Sequence, residues 1–297
     1  MPPAVPENLR VVTATDGVII LRWWENIDPE YSSYKLYRGV NDSVNLAMYK
    51  ELRTNFFRDE GLFYDSTYYY AVSAVGRNGK ESRKAFFPGT KPVNNTDPVL
   101  PFIINVRPVN FEGRLLVSFE WSREENPDLK GLEVYRSTIA GFVPSQNDFV
   151  LLLDDSNDTD SLALSHSVNY YYRFRTADKG GRYSGFSKDY PAFLYPQSEK
   201  LFPLNGAILP LFDVFSVKSL AYDLEYEIIV YESPVINEIW RSNRYRKAEQ
   251  GELFIPFTAY SLVLNKKYYW RVAVYLPGST NAVYWSDLSS FQISQFN

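Results

Sequence analysis

Three short segments of the chain alternate large apolar with polar or small residues, and each opens on a Tyr standing six residues after a Leu. The pairs are Leu62 and Tyr68, Leu164 and Tyr170, and Leu262 and Tyr268, with the Tyr residues 102 and 98 positions apart. Side chains on a strand point alternately to its two faces. The pattern therefore predicts a strand that buries Tyr68, Tyr70, Val72 and Ala74, a second that buries Tyr170, Tyr172, Phe174 and Thr176, and a third that buries Tyr268, Trp270, Val272 and Val274. The alternate sets, with Tyr69, Tyr171 and Tyr269 at their heads, are expected to face solvent or neighbouring strands, where the rings form cross-strand pairs. A period near 100 residues is the length of one β-sandwich, so the chain reads as all-β, three sandwiches in a row. No stretch carries a sustained 3.6-residue pattern, and helices are expected to be nearly absent.

A Tyr at the head of such a strand, with its hydroxyl turned back to the upstream backbone, is a tyrosine corner, and the preceding Leu is expected to pack beneath it. Two further residues recur at matched spacing: Trp23 and Tyr37 in the first segment, and Trp121 and Tyr135 in the second, each pair 14 residues apart, with Arg38 and Arg136 directly after the Tyr. Together these motifs resemble fibronectin type III domains, with Trp on strand B, Tyr on strand C, and Leu and Tyr leading into strand F. The resemblance implies three tandem fibronectin type III-like (immunoglobulin-like) β-sandwiches in an elongated array. The third copy diverges, because Phe212, Val214 and Phe215 stand where a Trp is expected.

The expected domains are residues 1–90, 98–192 and 198–297. Segments 86–101 and 190–206 are rich in Pro, which fixes the backbone and lacks a donor, so both are expected to be stiff linkers outside the ladders. Phe193, Leu194, Tyr195, Leu201 and Phe202 in the second linker predict closer contact between the second and third domains than between the first and second.

Composition narrows the chemistry. The 297 residues are 45% hydrophobic and 17% aromatic, enough for packed cores. A net charge of −4 argues against a nucleic-acid partner, and no apolar run approaches the length of a membrane-spanning helix. Without Cys the sandwiches must hold without disulfides. The start "MPPAVPENLRVV" has no charged and apolar leader pattern. An extracellular or cell-envelope protein whose export signal lies outside this sequence is the first expectation, and a virion protein the alternative.

The only His, His166, sits in a predicted loop with no nucleophile in a recognisable context, and reads as a surface residue. No catalytic, cofactor or metal residues are assigned. The run Asp154, Asp155, Asn157, Asp158 and Asp160 has the oxygen density that calcium needs, yet not EF-hand spacing, and Asp160 falls near the place of Asp59 in the first copy. A solvated turn is the expected state. Asn41, Asn94 and Asn157 open glycosylation-type triplets, and no Arg-Gly-Asp is present.

Two Trp-Ser-like boxes, Trp285-Ser286 with Ser289 and Tyr183-Ser184 with Ser187, follow strands that carry Arg271, and Arg173 and Arg175, outward. They look like the cytokine-receptor feature in which Arg stacks on an aromatic ring, and Arg271 is expected over Trp285. Partner contact is expected at the junction with Tyr195 and at a loop carrying Trp240, Arg241, Arg244, Arg246 and Lys247. The function read from these features is a non-catalytic binding and spacer protein that contacts another protein or a surface glycan. The alternatives are a structural subunit of a larger assembly, such as a phage tail or surface filament, and an accessory module of a carbohydrate-active enzyme.

Overall fold

The strand pairing grows out of the alternation just described. The computed structural model describes residues 1–122, 126–154, 158–234, 237–258 and 262–295, which form 24 strands and one 3-10 turn at Gln146–Asp148. The described residues contain no α-helix. Contacts divide the chain into two compact units: Met1–Pro101 with Arg123–Glu133 and Phe174–Ser187, and Phe102–Ser122 with Val134–Arg173 and Lys188–Asn297.

In the first unit the strands are β1 (Arg10–Thr15), β2 (Val18–Arg22), β3 (Tyr31–Val40), β4 (Ala47–Leu52), β5 (Phe56–Asp59), β6 (Tyr68–Gly76) and β7 (Ala85–Thr90). One sheet has the order β1-β2-β5 and the other β4-β3-β6-β7. Between them lie Ile19, Leu21, Trp23, Tyr34, Leu36, Leu62 and the inward set of β6. Tyr34, three residues before Tyr37, meets Trp23 edge-on with centroids 5.2 Å apart. Tyr37 belongs to the opposite face, where the Lys84 ammonium lies 3.5 Å from its ring centroid.

That opposite face is not open to solvent: Ala71, Ser73 and Val75 are buried as well. Glu81 closes it by accepting hydrogen bonds from Tyr37, Ser73 and Lys35. Burial pushes the Glu81 carboxyl up, but these three donors outweigh it and hold the group down at about 2. The first presumed linker begins inside the ladder as β7, with Pro88 and Gly89 in a bulge between the pairs Tyr68↔Thr90 and Tyr70↔Phe87. A bulge is where a sheet tolerates a residue without N–H. Gly89, at φ 106°, could carry no side chain, because a Cβ there would stand 2.6 Å from the Tyr69 ring.

The second repeat supplies β8 (Ile103–Phe111), β9 (Arg114–Trp121), β10 (Leu129–Ser137), β11 (Phe149–Leu153), β12 (Thr159–Asp160), β13 (Asn169–Asp178) and β14 (Tyr190–Phe193). The third supplies β15 (Lys200–Phe202), β16 (Ala207–Leu209), β17 (Val214–Ser219), β18 (Leu224–Tyr231), β19 (Glu238–Arg241), β20 (Tyr245–Lys247), β21 (Gly251–Pro256), β22 (Lys267–Tyr275), β23 (Ala282–Trp285) and β24 (Ser289–Ile293). The order β11-β10-β13-β14 repeats that of β4-β3-β6-β7, and β15-β17-β21 repeats that of β1-β2-β5. Segment 190–206 is thus not a free linker, since β14 and β15 lie within ladders. Pro191 is accommodated because β14 ends its sheet and needs no outward donor.

Within the second unit β8 also pairs in parallel with β23, Asn110 opposite Tyr284 and Phe111 opposite Trp285. The Glu112 N–H extends this seam by donating to the Trp285 carbonyl at 2.8 Å. One ten-stranded sheet results, running β12-β9-β8-β23-β22-β18-β19 with β16, β20 and β24 attached. The second and third repeats are therefore joined by backbone hydrogen bonds in addition to their connecting chain.

All three corner rings are buried. The Tyr68, Tyr170 and Tyr268 hydroxyls accept from the Phe63, Ser165 and Val263 N–H groups at 2.9, 2.8 and 2.8 Å, in each case the residue after the paired Leu. Leu62 is buried, whereas Leu164 and Leu262 are half-buried. Beside the first two corners lies a buried ion pair. Arg38 Nη1 donates to both Asp59 oxygens at 3.0 Å, and Tyr70 Oη donates to the same carboxylate at 2.8 Å. Arg136 and Tyr172 repeat this on Asp160 at 2.6 and 2.8 Å. Asp160 is fully buried, so the expectation of a solvated turn fails at this residue: its carboxylate is the internal counter-ion of Arg136.

The third repeat solves the same position without charge. Across β18 and β22 Val230 faces Trp270, where Arg38 faces Tyr70 across β3 and β6. Trp270 packs on Phe215, 4.8 Å between centroids, and Phe215 also meets Phe212, Trp240, Phe257 and Phe291. Phe215 thus fills the core site where a Trp was expected.

Two stability outcomes follow. Tyr68→Phe, Tyr170→Phe and Tyr268→Phe each lose about 1 kcal/mol in urea unfolding, since each leaves a backbone N–H without its acceptor. Asp59→Ala costs about 3–5 kcal/mol by stranding the Arg38 charge, and the double change Arg38→Val with Asp59→Leu costs less than Asp59→Ala alone. A double variant as damaging as the single one would contradict this account.

Candidate functional site

A concavity in the second unit is built by β8, β14 and the turn between β22 and β23. Asn105, Val106, Arg107 and Pro108 form one wall, Pro191, Ala192, Phe193 and Tyr195 the floor, and Leu276, Ser279, Asn281, Ala282 and Val283 the far wall, with Asn169 at the rim; its volume is about 470 Å³. Phe193, Tyr195 and Tyr222 meet pairwise edge-to-face with centroids 4.8, 5.4 and 5.3 Å apart. Burial and the neighbouring Tyr222 raise the Tyr195 phenol above its ordinary value, and the Tyr195 carbonyl accepts from Asn110 Nδ2 at 3.0 Å. Tyr195 is therefore a half-buried part of the cleft floor.

The predicted basic loop is two short strands, β19 and β20, both paired with β18. Its cations are already engaged. Arg241 binds Glu227 and Glu238, Arg244 lies 3.6 Å from Glu225 and 3.5 Å from the Tyr275 ring centroid, and Arg246 grips Asp223 with two nitrogens. Lys247 donates to the Glu252 carbonyl, and Trp240 packs on Phe215 and Phe257. What the sequence displays as a basic patch is a set of ion pairs along a strand edge, because strand pairing brings Glu225 and Glu227 of β18 and the adjoining Asp223 beside it.

Arg271 lies at the seam of β8 and β23. Its guanidinium carbon is 5.5 Å from the Tyr231 ring centroid, 5.6 Å from Phe111 and 5.9 Å from Trp285, and its Nη2 is 3.1 Å from Glu112. Trp285 is thus the most distant of three rings; Phe111 and Tyr231 were not legible beforehand because they come from other strands. In the other box Arg175 stacks 3.8 Å from the Tyr183 centroid and bonds Glu133 at 2.7 Å, and Arg173 pairs with Asp189. The box serines complete the ladder: Ser286 Oγ accepts from the Val272 N–H, Ser187 Oγ from Phe174 and Ser184 Oγ from Thr176. Ser82 in the first repeat accepts from Ala74 in the same way.

Each repeat has the fibronectin type III fold. The strand orders β1-β2-β5 and β4-β3-β6-β7, repeated in β15-β17-β21 and β11-β10-β13-β14, together with the corner Tyr and the Ser-bridged last strand of each repeat, carry that statement. Among solved structures the chain is similar to the chicken CNTN1 FN1-FN3 domains, at 14% identity over 99% of this chain and 100% of that one, with a TM-score of 0.36. An Fn3-like protein from Clostridium thermocellum matches at 24% identity over 33% of this chain and 100% of its own, with a TM-score of 0.27. A family 28 exopolygalacturonase from Yersinia enterocolitica matches at 15% identity over 32% of this chain and 21% of its own, also at 0.27. No family model and no curated protein sequence matches the chain.

A further polar cluster lies in the first unit. Asp16 accepts from the Asn95 and Thr96 N–H groups and from Thr96 Oγ1, Asn94 Nδ2 donates to Asp178, and Arg182 pairs with Asp97. Asn94 is therefore held inside this cluster. Asp128 and Asp178 are buried there, each with one oxygen that accepts no hydrogen bond. Burial raises the Asp128 carboxyl above its ordinary value; the charges of Asp178 and Asp16 add to this, and Tyr64 opposes it.

Of the acidic run, Asp155 and Asn157 lie outside the described residues. Among the described residues no group of three or more His, Cys, Asp or Glu is arranged to hold a metal ion. His166 is exposed, with Nδ1 3.5 Å from Ser167 Oγ.

A carboxyl raised by folding binds its proton more tightly in the folded state. The stability of the first unit therefore increases as pH falls from the raised Asp128 value toward the ordinary value of 3.8. Asp128→Asn is expected to raise the urea midpoint at neutral pH and to remove this pH dependence, as followed by unfolding between neutral and mildly acid pH. An unchanged profile would show that Asp128 does not carry it.

Proposed function

We propose that the chain is a non-catalytic binding and spacer protein of three fibronectin type III-like domains, spanning residues 1–90, 98–192 and 198–297, which contacts a protein or a surface glycan. It works outside the cell or in the cell envelope. One contrast supports this reading: the ionisable clusters engage one another, whereas the cleft presents side chains with no internal partner. Arg38 with Asp59 and Arg136 with Asp160 are structural counter-ions, and the cations of β19 and β20 are paired. Asn105, Asn169, Asn281 and Arg107 of the cleft are exposed, and their side chains make no hydrogen bond or ion pair with described residues. Partner contact is accordingly assigned to the Tyr195 junction in preference to the Trp240 to Lys247 segment.

A second reading, a structural subunit of a larger assembly, draws on the parallel pairing of β8 with β23, in which one repeat extends the sheet of another. Turnover assays with glycosidase, esterase, protease and phosphatase substrates are expected to stay at background. A rate above background that a single Asp or Glu substitution abolishes would replace the binding reading with an enzymatic one.

A further inference from the structure

We infer that the cleft floored by Phe193 and Tyr195 is a subsite for a short acidic oligosaccharide, a run of sugar rings bearing carboxylates. The inference rests on the binding reading above and names the ligand class.

Its first support is the donor set. Asn105, Asn169 and Asn281 are exposed at the cleft with side-chain amides that make no hydrogen bond to described residues. An amide offers a donor pair and an acceptor together, which is what a sugar hydroxyl needs as it gives one hydrogen bond and takes others. Three such amides at one cleft suit a polyhydroxylated ligand.

The second support is charge. Arg107 is exposed in the same wall and has no carboxylate partner among the described residues. Among the described residues no Asp or Glu lines the cleft. Arg244 reaches the Ser279 carbonyl, but Glu225 and the Tyr275 ring already engage it. On a chain of net charge −4, an unpaired guanidinium facing no acid selects an anion, and its planar fork fits a carboxylate with two hydrogen bonds.

The backbone weighs against the nearest competitor, an extended peptide. Residues 105–111 of β8 are paired with β9, and Asn110 and Phe111 also with β23. The open edge of β14 carries Pro191, which has no N–H to give. The cleft lining instead offers Phe193, Tyr195 and the exposed Leu276, apolar surface for the faces of sugar rings. At about 470 Å³ the cleft has room for two or three rings.

The test is calorimetric titration of the full chain with trisaccharides of glucuronate, galacturonate and mannuronate, against the neutral glucose, galactose and mannose counterparts. At least one uronate is expected to bind about tenfold tighter than its neutral counterpart, and Arg107→Ala to remove that difference. Asn169→Ala and Asn281→Ala are expected to weaken the same ligand severalfold. All are surface changes, and an unaltered thermal midpoint verifies that each variant folds. No uronate binding in the millimolar range, equal affinity for neutral trisaccharides, or binding indifferent to Arg107→Ala would each overturn the assignment. Those results would leave binding without turnover standing, whereas cleavage of a trisaccharide would overturn that reading instead.

Discussion

The parallel pairing of β8 with β23 governs the second unit more than any other interaction. An exposed strand edge carries unpaired N–H and C=O groups, and proteins usually blunt or cover it. Here the first strand of the second repeat covers the β23 edge of the third, through Asn110 opposite Tyr284 and Phe111 opposite Trp285. The register is short, and the side chains around it extend it. Arg271 is enclosed by Phe111, Tyr231 and Trp285 and held by Glu112, so part of its charge is met by ring faces and part by a carboxylate. The same seam brings residues 105–108 near residues 276–283, which are the two walls of the cleft. A sheet shared between repeats is thus also what shapes the surface.

Charge is handled in two ways within one fold. In the first two repeats a buried carboxylate is gripped by an Arg and a Tyr next to the corner ring, with the Arg38 guanidinium 6.0 Å from the Tyr68 centroid and the Arg136 guanidinium 5.2 Å from Tyr170. Such a network holds only while every member is present, because a lone buried charge is costly. The third repeat has Val230 and Trp270 at the corresponding register and a cluster of aromatic rings around Phe215. It gives up directional hydrogen bonds and gains buried apolar surface. Its divergence in sequence is therefore a change of core chemistry at constant topology.

Where the pattern was local, it was readable. The alternation after Tyr68, Tyr170 and Tyr268 sets the inward face of three strands, and Leu followed six residues later by Tyr is a contact between near neighbours in the chain. Matched Arg38 and Arg136, with matched Asp59 and Asp160, already carried the signal of a repeated ion pair. The Pro-rich segments misled because Pro reports only a missing donor. It cannot distinguish a linker from a bulge such as Pro88 or an edge strand such as that of Pro191. The pairing of the basic run after Trp240 was hidden for a related reason: Glu225, Glu227 and Asp223, which engage Arg244, Arg241 and Arg246, precede those partners by 14 to 23 residues and meet them only across a ladder.

The sequence by itself determined the all-β class, the repeat of about 100 residues and the faces of the core strands, since these depend on side-chain order within a few residues. It also determined the corner contacts, which close over short loops. Tertiary structure alone decided the pairing of β8 with β23, the Phe111 and Tyr231 rings beside Arg271, the internal pairing of the basic strand edge and the convergence of Asn105, Arg107, Asn169 and Asn281 on one cleft. These contacts join residues from 14 to more than 150 positions apart, and no local periodicity encodes which distant edge a strand will meet. That choice is made by the packing of whole sheets, where backbone hydrogen bonds are non-specific in sequence and the side chains at the seam select the register.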